Sequence, residues 1–153
     1  LANLSFADDS PKPTGPAPSG RAETPAVAAT ARYALVADDE ALIRWSVAET
    51  LAGLGMEIQQ AADAASAMKA VDEAEHPFDV VVLDLRMPDV ADLSLVAAIR
   101  GRLPAATVIL MTAFGTPEVE AGALELGVRT VLRKPFELDD LKRLVGPREG
   151  LAS

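Results

Sequence analysis

The stretch DVVVLDLRMPD, residues 79–89, runs three valines and a leucine straight into an aspartate, Asp84. A short, unbroken apolar run bounded by turn-forming residues reads as a strand covered on both faces, the kind found inside a parallel sheet. A carboxylate at the end of such a strand is costly to leave uncompensated. The rest of the chain has to explain why it is there.

Working outward, the same grammar repeats. YALVA (33–37) and ATVILM (106–111) are further apolar strands, MEIQQ (56–60) alternates only weakly, and TVLR (130–133) is a short last strand. Between them lie helical stretches. EALIRWSVAETLAGL (40–54) carries Ile43, Val47, Leu51 and Leu54 at helical spacing and stops at Gly55. DAASAMKAVDEAE (63–75) begins at a cap, Asp63. DLSLVAAIR (92–100) is expected to end before Gly101, and PEVEAGALELG (117–127) starts on proline and ends on glycine. ELDDLKRLV (137–145) closes the series. Five strands alternating with five helices predict an α/β fold, a parallel sheet with right-handed crossovers and helices on both faces. In such sheets the functional crevice lies beyond the carboxyl ends of the strands.

The residues at those ends are chemically pointed. Asp38 and Asp39 follow the first strand, Asp84 ends the third, Thr112 and Ala113 follow the fourth, and Lys134 and Pro135 follow the fifth. Each alone has a plain structural reading: a turn former, a helix cap or a solvated lysine. As an ordered set at one sheet edge they predict a site. Three converging carboxylates repel one another, and a hard divalent cation with oxygen ligands offsets that repulsion; Mg²⁺ suits few carboxylates and retained waters. Lys134 adds a positive charge on a flexible stem.

VADDE, VVVLDLRMPD, MTAFGTPE and LRKPF occur in that order over residues 36–136. With these motifs the chain from about 33 to 145 resembles the receiver domain of two-component response regulators. The resemblance implies a flavodoxin-like (βα)5 doubly wound sheet with strand order 2-1-3-4-5. It implies that Asp84 is the phosphoacceptor, that Asp38 and Asp39 help it hold Mg²⁺ with the backbone carbonyl of Arg86, and that Thr112 and Lys134 contact the phosphoryl oxygens. It implies a cis Lys134–Pro135 bond. The partners it implies are a sensor histidine kinase or phosphotransfer protein as donor and a downstream protein target, and it allows a homodimer through the fourth and fifth helices.

The pattern departs from the family at two places. Asp92 stands where a glycine is usual, so the loop there must manage otherwise or Asp92 caps the helix. Val131 stands where the family has Tyr or Phe, whose ring swings with Thr112; either the switch is muted or another side chain serves, with Phe114 as the candidate although its plain reading is a loop aromatic partly packed on the fourth helix. Arg86 and Phe114 flank the expected phosphate. Trp45 projects away from the apolar stripe of its helix, either as a rim residue or as a binding hot spot. His76 lies ahead of the third strand, away from the site edge.

Composition bounds the rest. There are 153 residues, half of them apolar, with no cysteine and a formal charge of −9. That is room for one ordinary domain and excludes disulfides and thiolate chemistry. A net acidic chain argues against direct nucleic-acid binding through a basic face. No apolar run has the length of a membrane span and no secretory leader is recognisable, which leads to the expectation of a cytoplasmic protein without membrane contact. Residues 1–31, rich in Pro, Ala, Gly, Ser and Thr, are expected to be a disordered tail or linker; 32–146 form the receiver and 147–153 a C-terminal tail too short for a DNA-binding domain. A start at Leu1 rather than Met leads to the expectation of a fragment, a trimmed product or an artificial boundary.

The expected function is therefore a phosphoacceptor module that assists its own phosphorylation without being a turnover enzyme. It is expected either alone or as the C-terminal receiver of a hybrid kinase. The competing expectation is an adaptor that keeps the fold but ignores phosphate, motivated by Val131. A hydrolase of the haloacid dehalogenase type also uses a strand-end aspartate, but its chemistry needs a second carboxylate where this chain has Arg86.

Overall fold

The structure is a computed structural model that describes residues 31–145. The expected tails, 1–31 and 147–153, lie outside the described residues apart from Ala31. Strands β1 (Arg32–Ala37), β2 (Met56–Ala61), β3 (Val80–Asp84), β4 (Thr107–Thr112) and β5 (Thr130–Arg133) are each followed by a helix. The helices are α1 (Ala41–Gly53), α2 (Ala64–Glu73), α3 (Ser94–Arg102), α4 (Pro117–Glu125) and α5 (Leu138–Val145). All strand pairs are parallel, in the order β2-β1-β3-β4-β5. This is the 2-1-3-4-5 order that the resemblance implied.

Alternation along the central strands divides the core into two layers. Ala34, Val36, Val80, Val82, Ile109 and Met111 pack with Val47 and Leu51 of α1 and Leu141 and Val145 of α5. Leu35, Val81, Leu83, Val108 and Leu110 face the opposite way, onto Ala67 and Ala70 of α2, Val96 and Ile99 of α3, and Ala123 of α4. Val80, Val81, Val82 and Leu83 are all fully buried. At ~1.5–3 kcal/mol per buried aliphatic side chain, the gross gain from those four exceeds the cost of one buried carboxylate. That is why a strand this apolar tolerates ending in Asp84.

The weakly patterned strand, β2, is an edge strand that among the described residues pairs only with β1. Only its terminal Met56 and Ala61 are buried, so its sequence carries little alternation. Local chemistry behaves as expected at several ends. The Asp63 side chain accepts from the Ser66 amide at 2.7 Å and caps α2. Thr116 caps α4 by accepting from the Val119 amide at 3.2 Å, with Pro117 at the first helical position. Gly127, at φ +91°, terminates that helix in a conformation that glycine adopts readily.

Helix α3 departs from expectation. It runs from Ser94 through Gly101 to Arg102 rather than stopping at Arg100. A lone glycine in a helix costs only about 1 kcal/mol, whereas Pro104 disfavours helical geometry at Leu103 and sets the stop. At the other end, Asp92 accepts from the Ser94 amide at 2.9 Å, satisfying a free donor of the first turn where the family has glycine.

Candidate functional site

Strand register assembles the site. β1 pairs with β3 so that Ala37 stands opposite Leu83, and the next step brings Asp38 level with Asp84. β4 pairs with β5 so that Thr112 stands opposite Arg133, one residue before Lys134. Backbone bonds hold these ends beyond the sheet: the Asp38 amide donates to Ala61 O at 3.1 Å, the Leu85 amide to Met111 O at 2.8 Å and the Lys134 amide to Thr112 O at 2.7 Å. The polar side chains therefore sit on rigid stems.

Asp38, Asp39 and Asp84 each present an oxygen within 4.8 Å of the others. Asp38 is fully buried and Asp84 is 7% exposed, while Asp39 is open to solvent. Lys134 reaches into this group from the far side. Its Nζ lies 2.9 Å from Asp38 Oδ2 and 3.4 Å from Asp84 Oδ2. Thr112 is almost wholly buried at the same edge, and its Oγ1 accepts from the Phe114 amide at 3.1 Å. The five side chains expected at one edge are thus gathered there. The Lys134–Pro135 bond is cis, as the resemblance implied.

Two features were not read from the sequence. Lys134 is not a mobile charge: its side chain is only 10% exposed and a third carboxylate, Glu40 Oε1, lies 3.1 Å from Nζ. Glu40 directly follows the acid pair, and that adjacency was the available signal. Arg44 braces the same loop, donating to the Asp38 carbonyl at 2.7 Å and to Gln60 Oε1 at 3.2 Å. Its helical offset from Asp38 carried no recognisable pattern.

The electrostatics are unbalanced. Burial, reinforced by the neighbouring Asp38 carboxylate, pushes the Asp84 carboxyl up to about 6, against the opposing pull of Lys134 and the Arg86 amide, which donates to Asp84 Oδ1 at 3.3 Å. Burial pulls the Lys134 ammonium down, but its bonds to Asp38 and Glu40 outweigh that and leave it raised. One lysine does not neutralise the acids around it. Oxygen-only donors at this spacing, with negative charge in excess, fit a hard divalent cation.

The flanking residues fall as follows. The Arg86 guanidinium lies 5.8 Å from the centroid of the Phe114 ring, and Phe114 is 71% exposed. Val131 is half-buried against the Leu110 layer. Pro135 and Phe136 join Leu42 and Ile43 in an apolar groove of about 270 Å³ between α1 and the loop after β5. Leu42 and Trp45, three apart on α1, are 73% and 56% exposed. His76 stacks on Tyr33 with ring centroids 4.6 Å apart, Tyr33 being at the amino end of β1 and so far from the site. Among the described residues no helix is long and apolar enough to cross a membrane.

Comparison with known proteins places this geometry. The profile of the response regulator receiver domain matches residues 34–146. The DNA-binding transcriptional regulator NtrC of Escherichia coli is 34% identical over 110 residues, covering 72% of this chain and 23% of NtrC. The transcriptional regulatory protein PdtaR of Mycobacterium tuberculosis is 36% identical over 119 residues, 77% of this chain and 57% of PdtaR. The chain thus spans about a quarter to somewhat over half of these relatives. Among solved structures, the chemotaxis response regulator CheY4 of Vibrio cholerae superposes with a TM-score of 0.66 at 29% identity, covering 76% of this chain and all of CheY4. The receiver domain of NtrX from Brucella abortus gives 0.64 at 31% identity, covering 72% of this chain and 92% of that one. Fold, strand order and family profile agree, and the chain belongs to the response regulator receiver domains of two-component signalling systems.

Proposed function

We propose that Asp84 accepts a phosphoryl group from a phosphohistidine of a sensor kinase or phosphotransfer protein in the cytoplasm, and that the resulting aspartyl phosphate is a signal read by a downstream protein. The observation that carries this is the buried Asp84 carboxylate, its oxygen within 4.8 Å of ligand oxygens of two other aspartates and 3.4 Å from a lysine ammonium.

An Asp84 oxygen attacks phosphorus in line with the phosphorus–nitrogen bond. That bond breaks as the oxygen–phosphorus bond forms, and the imidazole leaves neutral, carrying a proton on its other nitrogen. Lys134 donates to the transferring oxygens, and Thr112 turns its hydroxyl proton to them, a donation that accepting from the Phe114 amide leaves free. Asp38, Asp39 and Asp84 would hold Mg²⁺, with the Arg86 carbonyl as a further ligand; bound there, the ion supplies charge neutralisation to the transferring group. The chain assists this single event and does not turn over a substrate. Val131 offers no ring to report the change, so the exposed Phe114, two residues from Thr112, takes that part. The domain proper is 32–146, and self-association through α4 and α5 is kept as an optional output.

A donor has to approach Asp84 across the rim made by α1 and the loop after β5. Leu42 and Trp45 supply exposed apolar area there, the composition expected of a protein-docking surface. A second reading is favoured by the relatives: NtrC is named as DNA-binding and exceeds the matched region several-fold. As part of a longer regulator, this receiver would pass its signal to a segment that acts on nucleic acid instead of on a separate protein.

The test is intact-protein mass spectrometry after incubation with Mg²⁺ and a small acyl phosphate. The expected result is one added phosphoryl group on the wild type and none on Asp84→Asn. Absence of the adduct on both, or its presence on both, overturns the assignment and favours an adaptor that keeps only the fold.

A further inference from the structure

We propose that Glu40 is a positioning residue that clasps Lys134 in the unphosphorylated protein and releases it to the incoming phosphoryl group. The proposal rests on the phosphoacceptor reading for its consequence, but the clasp itself is a property of the unmodified chain.

An ammonium has three N–H donors and no more. The Lys134 ammonium faces three carboxylates: Asp38 at 2.9 Å, Glu40 at 3.1 Å and Asp84 at 3.4 Å. Two of its donors are hydrogen-bonded, to Asp38 and Glu40, and the third faces Asp84 across 3.4 Å, so the ammonium turns fully to a phosphoryl oxygen only if a present partner gives way. Asp38 is fully buried, so in the metal-free protein unpairing it leaves a desolvated charge. Asp84 is the group being modified and stays beside the lysine. Glu40 is different: its side chain is 59% exposed, and water replaces the lost bond at small cost. Of the three, Glu40 is the partner that can leave.

A second observation concerns what Glu40 does not do. It occupies the N-cap of α1, a position whose side chain ordinarily satisfies a free amide of the first turn. Here it makes no capping bond. Its own amide is held by Asp38 Oδ1 at 2.8 Å, which fixes the backbone while the carboxylate turns to Lys134. Arg44, the nearest other cation on this helix, is engaged with the Asp38 carbonyl and Gln60. The side chain thus serves the lysine rather than the helix. The consequence is a kinetic restraint: each phosphorylation has to break one exposed ion pair, so the clasp slows transfer from any donor and sets a threshold for the signal.

Two measurements on the full chain test this. Amine labelling by a dilute acetylating reagent, read residue by residue by peptide mass spectrometry, reports how tightly Lys134 is held, with Lys69 of α2 as internal reference. Glu40→Ala is expected to raise Lys134 labelling relative to Lys69 by about two- to fivefold, the range of an exposed ion pair. Glu40→Gln, which keeps an acceptor without the charge, is expected to fall between. Unchanged Lys134 labelling in folded Glu40→Ala overturns the clasp, and melting curves on both variants verify folding. The second measurement is the rate of adduct formation with Mg²⁺ and a small acyl phosphate. It is expected to rise in the order wild type, Glu40→Gln, Glu40→Ala. Equal acceleration by the two variants overturns it in favour of simple charge repulsion, which depends only on the charge that both variants lose. If labelling rises while no variant, wild type included, forms an adduct, the clasp stands and the phosphoacceptor reading is what fails.

Discussion

Replacing Asp84 by asparagine should stabilise the metal-free protein at neutral and alkaline pH, although it removes the residue at the centre of the site. In the folded protein the Asp84 carboxyl titrates at about 6 instead of 3.8, first because it is buried and second because Asp38 lies beside it. The folded state therefore holds a proton more tightly than the unfolded chain does. Stability from this group is fully present below 3.8 and is lost as pH rises through about 6. A shift from 3.8 to about 6 corresponds to about 3 kcal/mol. The asparagine side chain keeps the shape without the charge, but its amide also faces the Lys134 ammonium, which takes back about 1 kcal/mol. The net gain is about 2 kcal/mol, or about 8 °C in Tm for a domain of this size. Thermal melts in chelator at pH 8 measure it directly. At pH 4 the advantage should disappear because wild-type Asp84 is then neutral. Adding Mg²⁺ at pH 8 should stabilise the wild type, by ~2.7 kcal/mol at a hundredfold excess over its Kd, and the asparagine variant less. If Asp84→Asn melts at or below the wild type at pH 8 in chelator, the site carries no uncompensated charge and the electrostatic reasoning is wrong.

Trp45→Ala should slow phosphotransfer from the cognate kinase while leaving the rate with a small acyl phosphate unchanged and stability within about 0.5 kcal/mol; equal loss with both donors would place Trp45 in the chemistry rather than in docking. Gly127→Ala should cost about 1–2 kcal/mol in urea unfolding, because φ is +91° and the new methyl would meet the Arg100 guanidinium at 3.0 Å. Arg100→Met should cost about 2 kcal/mol by the same assay, since that guanidinium donates to the carbonyls of Ala106, Leu126 and Leu103 and so ties the ends of α3 and α4 to the start of β4. Asp89→Ala should speed amide exchange at Ala64 and Ala65, whose N–H groups Asp89 accepts at 2.9 and 3.0 Å. Those two bonds hold the Asp89 carboxyl below the usual range, so its contribution is present above that range and is lost on acidification.

Much of this molecule was legible in one dimension. Strand and helix identity came from period, because burial on two faces of β3 and β4 demands unbroken apolar runs while the helices need only a stripe. Asp38, Asp84, Thr112 and Lys134 were legible because each ends or directly follows a strand, and parallel strands all end on one edge. Where burial was partial the text was faint: β2 is an edge strand with little alternation. The stop of α3 was misplaced because a glycine inside a helix and a glycine after one look alike in sequence.

What the linear chain determined, then, is where strands end and which polar groups stand there, since both follow from local periodicity. What only the folded structure decided is how those groups pair. The clasp of Glu40 on Lys134 joins residues 94 positions apart, and the raised Asp84 carboxyl is set by burial and by Asp38 across a strand pair. Coulomb energy and desolvation depend on distance and exposure in space, and neither quantity exists until the sheet has formed.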